Sequence, residues 1–141
     1  MLKVNLLGTK ELEAAIAKAE KKLVEGVNRQ MDDSVIRIHN KQVVLTPIRF
    51  GVLRAGNKFD NSKPLNKVLE NAVEYAPYQE FGTGTYVFMG EPWVDAELES
   101  EAAQFKGKGI RKVNLYPRPF FYAPFYEEKP RLIKAIEDIL K

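Results

Sequence analysis

The sequence contains no cysteine and a single histidine, His39. The first absence excludes disulfides, thiolate metal sites and cysteine nucleophiles. It fits a chain folded in a reducing cytoplasm. The second excludes a two-histidine zinc site and a His-x-x-x-His helix. A Ser–His–Asp site would have to use His39, which falls late in a helical stretch beside polar neighbours, so a surface or half-buried structural histidine is the reading preferred here. Long hydrophobic runs are missing too. The opening "MLKVNLLG" is too short and too interrupted for a signal peptide or a membrane span, and no other apolar run approaches spanning length. No membrane association is expected. Excess charge is scarce: a net +3 is mild for a nucleic-acid binder, which usually shows a stronger and clustered surplus.

What is present is an ordinary globular composition, 141 residues with 45% hydrophobic and 29% charged. That suits one domain, residues 1–141, able to bury a core without staples. "LKVNLLG" alternates apolar and polar up to Gly8 and predicts a short strand. Thr9 is a candidate N-cap, with Glu11 and Glu13 in the first turn. Leu12, Ile16, Ala19, Leu23, Val27, Met31, Val35 and Ile38 then follow steps of three and four, one stripe down a single helix. It would run from about residue 10 to about 43, roughly 50 Å. Thr46-Pro47 ends it. One globular core covers about half of such a helix, so the remainder calls for a partner chain or an extended sheet. Gly26 weakens the middle by roughly 1 kcal/mol relative to alanine.

Beyond the helix, the pattern predicts a tight turn near Gly51, a strand around Leu53–Phe59 and a loop through Asn61–Pro64. "NKVLENAVEY" reads as a second strand with neither face cleanly apolar. "APYQEFG" reads as a turn or two of helix with Gly82 as its C-cap. Residues 84–116 form an inserted loop or hairpin. Its first half is acidic (Glu91, Asp95, Glu97, Glu99, Glu101) and its second half basic (Lys106, Lys108, Arg111, Lys112). A pair of strands, or a strand and a short helix joined near "GKG", would fit it, and a connection this long marks an interaction element. A closing helix is expected with Pro130 in its first turn and Leu132, Ile133, Ile136, Ile139 and Leu140 on its buried face. The expected class is α+β: a long N-terminal and a C-terminal helix packed on a small, mainly antiparallel sheet.

No constellation for catalysis emerges. Asp32–Asp33, Glu70 with Glu74, and Glu127–Glu128 are carboxylate pairs, but two-carboxylate chemistry needs an apolar pocket that no spacing shows. "GTGT" lacks the third glycine of a dinucleotide fingerprint and the Gly-Lys-Ser/Thr of a phosphate loop. Glu80 stands among Tyr75, Tyr78 and Phe81, where a glutamate bonding backbone groups or an arginine at a turn is the plainer reading. Lys106, Lys108, Arg111 and Lys112 are candidates for an interface or a DNA-facing surface; with acids before them and few aromatics, the interface is the better fit.

Four pieces in order, "KVNLLGTKELEAAI", "TPIRFGVLRA", "VEYAPYQEFGT" and "YPRPFFYAPF" followed by a helix, carry a resemblance. Together they resemble the HK97 gp10-like family of tailed-phage and prophage proteins, described as head–tail joining, neck or tail-completion proteins. Pro47, Gly51, Leu53 and Arg54 match the family's second element. Tyr75, Ala76, Glu80, Phe81, Gly82 and Thr83 match the third, and Arg118, Pro119, Phe120 and Pro124 the fourth. Departures are Arg49-Phe50 where Asp-Thr is common, Ala55 where serine is common, and about thirty residues between Gly-Thr and Arg-Pro-Phe where the family's segment is short.

The resemblance implies a non-enzymatic structural subunit of the virion neck, made in the host bacterial cytoplasm and needing no cofactor or metal. It implies a homo-oligomeric ring, with a hexamer favoured, that contacts other neck and tail proteins and touches channel DNA non-specifically. A tail terminator capping the tail tube and a small DNA-binding protein are the alternatives. Within this frame Glu80 is expected to pair with Arg54 or Arg118, and "YAPYQEFGTGT" to be an architectural corner.

Overall fold

The computed structural model describes residues 9–49, 51–83, 96–104 and 115–141. Within them the chain is mostly helical, with one small antiparallel sheet, an α+β arrangement. The N-terminal strand expected before Gly8 lies outside the described residues.

The longest element is α1, Thr9–Leu45. Its predicted stripe is real, but its burial is graded. Val35 and Ile38 are buried, Leu23, Val27 and Met31 are half-buried, and every residue from 10 to 22 is exposed. The covering element is the C-terminal helix, which runs back along α1. At its far end Ile139 lies 3.6 Å from where a Cβ on Gly26 would sit. Residues 10–22 therefore overhang the end of that helix by roughly 20 Å at 1.5 Å per residue.

The chain leaves α1 through Thr46, whose amide and hydroxyl both donate to the Gln42 carbonyl. Gly51 then takes a left-handed conformation, φ 74°, and this sharp turn starts α2, Val52–Ala55. The strand expected at residues 53–59 is thus half a helix. The Ala55 and Gly56 amides return to the Gly51 and Val52 carbonyls, closing a helical turn before any strand can begin.

Strand β1 is Asn57–Lys63 and β2 is Asn66–Asn71, paired antiparallel with Asn57 opposite Asn71 and Lys63 opposite Asn66. The loop expected through Asn61–Pro64 is accordingly shorter: residues 61–63 continue β1, and the reversal falls on Pro64 and Leu65, the latter at φ 57°. Neither strand has a buried apolar face. The hairpin is held against α1 by polar contacts. The Leu65 amide donates to Asn28 Oδ1, the Lys67 ammonium lies 2.7 Å from Asp32, and the His39 ring tilts on Phe59 with its Nε2 3.1 Å from the Asn57 carbonyl. His39 is half-buried.

Helix α3, Ala76–Phe81, ends at Gly82 as expected. In the insertion, α4 spans Ala96–Ala103; residues 84–95 and 105–114, with Lys106, Lys108, Arg111 and Lys112, lie outside the described residues. The last helix, α5, spans Tyr122–Leu140 and begins eight residues before Pro130, so this proline is internal rather than in the first turn. Of its predicted buried face, Leu132, Ile136 and Ile139 are half-buried, while Ile133 and Leu140 are exposed.

Two apolar clusters flank α3. Leu53, Ala76 and Phe120 pack with Val73 and Phe121 on one side. Phe81, Leu98 and Ala102 pack with Tyr122 and Tyr126 on the other.

Candidate functional site

Glu80 accepts three long-range hydrogen bonds. It is buried, and its Oε2 accepts the Phe120 amide at 2.8 Å and the Phe121 amide at 2.9 Å. Its Oε1 accepts the Tyr122 amide at 3.0 Å. The first N–H groups of a helix have no partner inside the helix, and Phe121 at the N-cap position supplies no side-chain cap. A carboxylate forty residues earlier in the chain does so instead, where the helix dipole favours negative charge. Burial pushes the Glu80 carboxyl up to about 7, against the three backbone N–H groups, which pull it down.

The sequence expectation that Glu80 bonds either backbone groups or an arginine resolves to the backbone. The pairing with Arg54 or Arg118 is corrected. Arg54 reaches the Thr46 carbonyl through Nη2, and no ion pair joins Glu80 to either arginine among the described residues. The physical reason is competition: three preformed amide donors already occupy both carboxylate oxygens.

The same corner is closed by main-chain bonds. The Arg118 amide donates to the Gln79 carbonyl at 2.7 Å, and the Thr83 amide to Leu115 O at 3.0 Å. The Leu115 amide returns to Thr83 Oγ1. Gly82 has φ 75°, and a Cβ there would stand 2.7 Å from Leu115 O and 2.9 Å from Pro117 N. The corner therefore requires glycine twice over, for conformation and for space.

Pro47, Gly51, Leu53, Tyr75 and Arg118 meet around a single open cavity of about 630 Å³, completed by Arg49, Gln79, Leu115 and Tyr116. Phe81 and Phe120 belong instead to the two apolar clusters, and Thr83 is buried in the turn. A smaller cavity of about 280 Å³ lies across α3, lined by Glu80, Glu101 and Tyr122 among others. Burial and the nearby Glu101 raise the Tyr122 phenol to about 12. Two carboxyls beside one cavity could suggest acid–base chemistry, but both Glu80 oxygens are already engaged by the backbone. Among the described residues no group of acidic or histidine side chains is arranged to hold a metal ion, and no helix is long and apolar enough to cross a membrane.

Sequence reasoning missed a second polar set. Thr46, Asn57 and Asn71 form a chain: Asn57 Nδ2 donates to Thr46 Oγ1, and Asn71 Nδ2 donates to both Asn57 Oδ1 and the Leu53 carbonyl. It ties the end of α1 to α2 and the hairpin. Ser34, Arg37 and Glu128 form another between α1 and α5, with Glu128 Oε1 accepting from all three donors at 2.7–2.9 Å. The sequence marks Glu128 only as half of a carboxylate pair, and nothing local to it reveals a partner 91 positions away.

Comparison with protein-family models, curated proteins and solved structures gives no match to this chain.

Proposed function

We propose that this chain is a structural subunit of a tailed-phage or prophage virion neck, joining head to tail as one protomer of a ring. The observation that carries the reading is the division of α1. Its apolar stripe is half-buried from about Gly26 and buried at Val35 and Ile38, where α5 and the hairpin pack on α1, yet Leu12 (62% exposed) and Ile16 (58% exposed) continue the same stripe in the open. A helix of this length gains most of its stability from packing an apolar face, so the overhang is built for a neighbouring subunit. The resembling strings supply the kind of assembly. Residues of the second, third and fourth strings come together in one corner whose polar groups fix the backbone, as an architectural element needs.

The mechanism is shape and interface, without turnover. Symmetric subunits joined head to tail close into a ring when the rotation permits, and a ring provides a collar through which DNA can pass.

Disrupting the gene in the phage or prophage that carries it tests the reading, with electron microscopy of the particles as readout. Filled heads and separate tails of normal length are expected. Tails of uncontrolled length would move the role to the tail terminator, and intact infectious virions would overturn the structural role.

A further inference from the structure

The cavity beside α3 and the helix on the opposite side of α3 differ in charge. The described residues lining the large cavity include Arg49 and Arg118, both exposed, with Tyr75 and Tyr116, and no carboxylate. Helix α4, AELESEAA, carries Glu97, Glu99 and Glu101 and no basic residue. Leu98 and Ala102 bury one face of α4 against Phe81 and Tyr122, and Glu97 and Glu101, four residues apart, are both exposed along the edge beside it, where Glu101 also accepts the Tyr122 hydroxyl at 3.3 Å.

The two features lie on opposite sides of α3. Tyr75 and Gln79, one turn apart, face the cavity with the arginines. Pro77 and Phe81, also one turn apart and half a turn displaced, face the side that holds α4. One protomer therefore presents an acidic ridge on one flank and a cationic, aromatic recess on the other.

We infer that the Arg49–Arg118 cavity of one copy receives the Glu97–Glu101 edge of α4 from a second copy. Guanidinium groups bind carboxylates through paired N–H donors, and tyrosine rings supply flat apolar walls for the stems of the acidic side chains. Because donor and acceptor surfaces are different patches on opposite flanks, the contact is heterologous and propagates head to tail. The inference rests on the ring reading and deepens it by naming the contact.

Two charge-reversed proteins test it, one carrying Arg49→Glu and Arg118→Glu, the other Glu97→Lys and Glu101→Lys. Native mass spectrometry and light scattering over a concentration series give the oligomer. Circular dichroism confirms the fold, and Arg→Ala and Glu→Gln pairs at the same positions replace any variant that does not fold. The wild type is expected to self-associate, and each variant alone to do so roughly 10-fold or more weakly. Mixing the two reversed variants is expected to restore association, since each then meets the opposite charge at both contacts. Raising salt from about 50 mM to about 500 mM is expected to weaken the wild-type oligomer. An oligomer that ignores both reversals would overturn this contact while leaving the ring intact. A wild type that stays monomeric at several hundred micromolar would overturn it too, and the particle phenotype of the gene disruption would then judge the neck role separately. Binding of duplex DNA that depends on Arg49 and Arg118 but not on Glu97 and Glu101 would also reject it, assigning the cavity to phosphate.

Discussion

Glu80 Oε2 stands 2.8 Å from the amide nitrogen of Phe120, and the same carboxyl holds the Phe121 and Tyr122 amides, so α3 caps α5. Removing the buried carboxyl strands three N–H groups at the start of a helix. At about pH 5.5, Glu80→Ala is expected to lower unfolding free energy by about 2–4 kcal/mol. Glu80→Gln keeps one acceptor and sets an NH₂ against the remaining donors, for a loss of about 1–2 kcal/mol. Urea unfolding followed by circular dichroism measures both; an unchanged midpoint for Glu80→Ala would remove the cap from the account.

The cap was only partly legible in the sequence. "YAPYQEFG" announces a short helix stopped by glycine, and Gly82 behaves so. A search for the start of α5 looks for a local cap and finds none, since Phe121 cannot act as one; Pro130, which suits a first turn, then draws the boundary eight residues too late. The true cap is distant in sequence and becomes visible only when α3 and α5 touch. Similarly, α1 is legible because its period is long and regular, whereas the hairpin's position rests on Asn28, Asp32, Asn57 and Asn71, whose polarity alone suggests loops. Charged partners such as Arg37 and Glu128 carry no periodic signal at all.

Stability should respond to pH with two opposed slopes. Burial raises Glu80 to about 7 in the folded protein, above its ordinary 4.5, so the fold holds that proton more tightly than the unfolded chain does. Its contribution is fully present below 4.5 and is lost as pH rises through 7, on the order of 3 kcal/mol. For Glu128, burial alone would raise the carboxyl, but the Arg37 guanidinium and Ser34 hydroxyl outweigh it and hold it below 4.5. That contribution is present above 4.5 and is lost as pH falls through the folded value. Thermal melts from pH 3 to 8 should therefore peak on the mildly acidic side. Glu80→Gln should flatten the decline above the peak, and Glu128→Gln the decline below it.

Glu128→Ala should also loosen α5 from α1. Arg37 and Ser34 would lose their shared acceptor, at a cost of about 1–3 kcal/mol, because Ser34 is buried and the guanidinium only about a third exposed. Hydrogen exchange should show faster opening of α5 amides around residue 128; unchanged protection there would contradict the ion pair's structural role.

Two glycines with nearly the same φ should respond differently to alanine. At Gly51, φ 74°, a Cβ meets nothing within 4 Å, so only conformational strain of about 1–2 kcal/mol is expected. At Gly82, φ 75°, the Cβ also drives into Leu115 O and Pro117 N, and a loss of about 2–4 kcal/mol is expected. Parallel denaturation of Gly51→Ala and Gly82→Ala checks the order. Equal losses would show that the approach of residues 115–117 does not constrain the turn.

The central claim, a place in the virion neck, is tested most directly by immunogold electron microscopy of intact particles with antibody raised against this chain. Label confined to the junction between head and tail is the predicted result. Label along the tail or on the head shell, or none on complete virions, would contradict it.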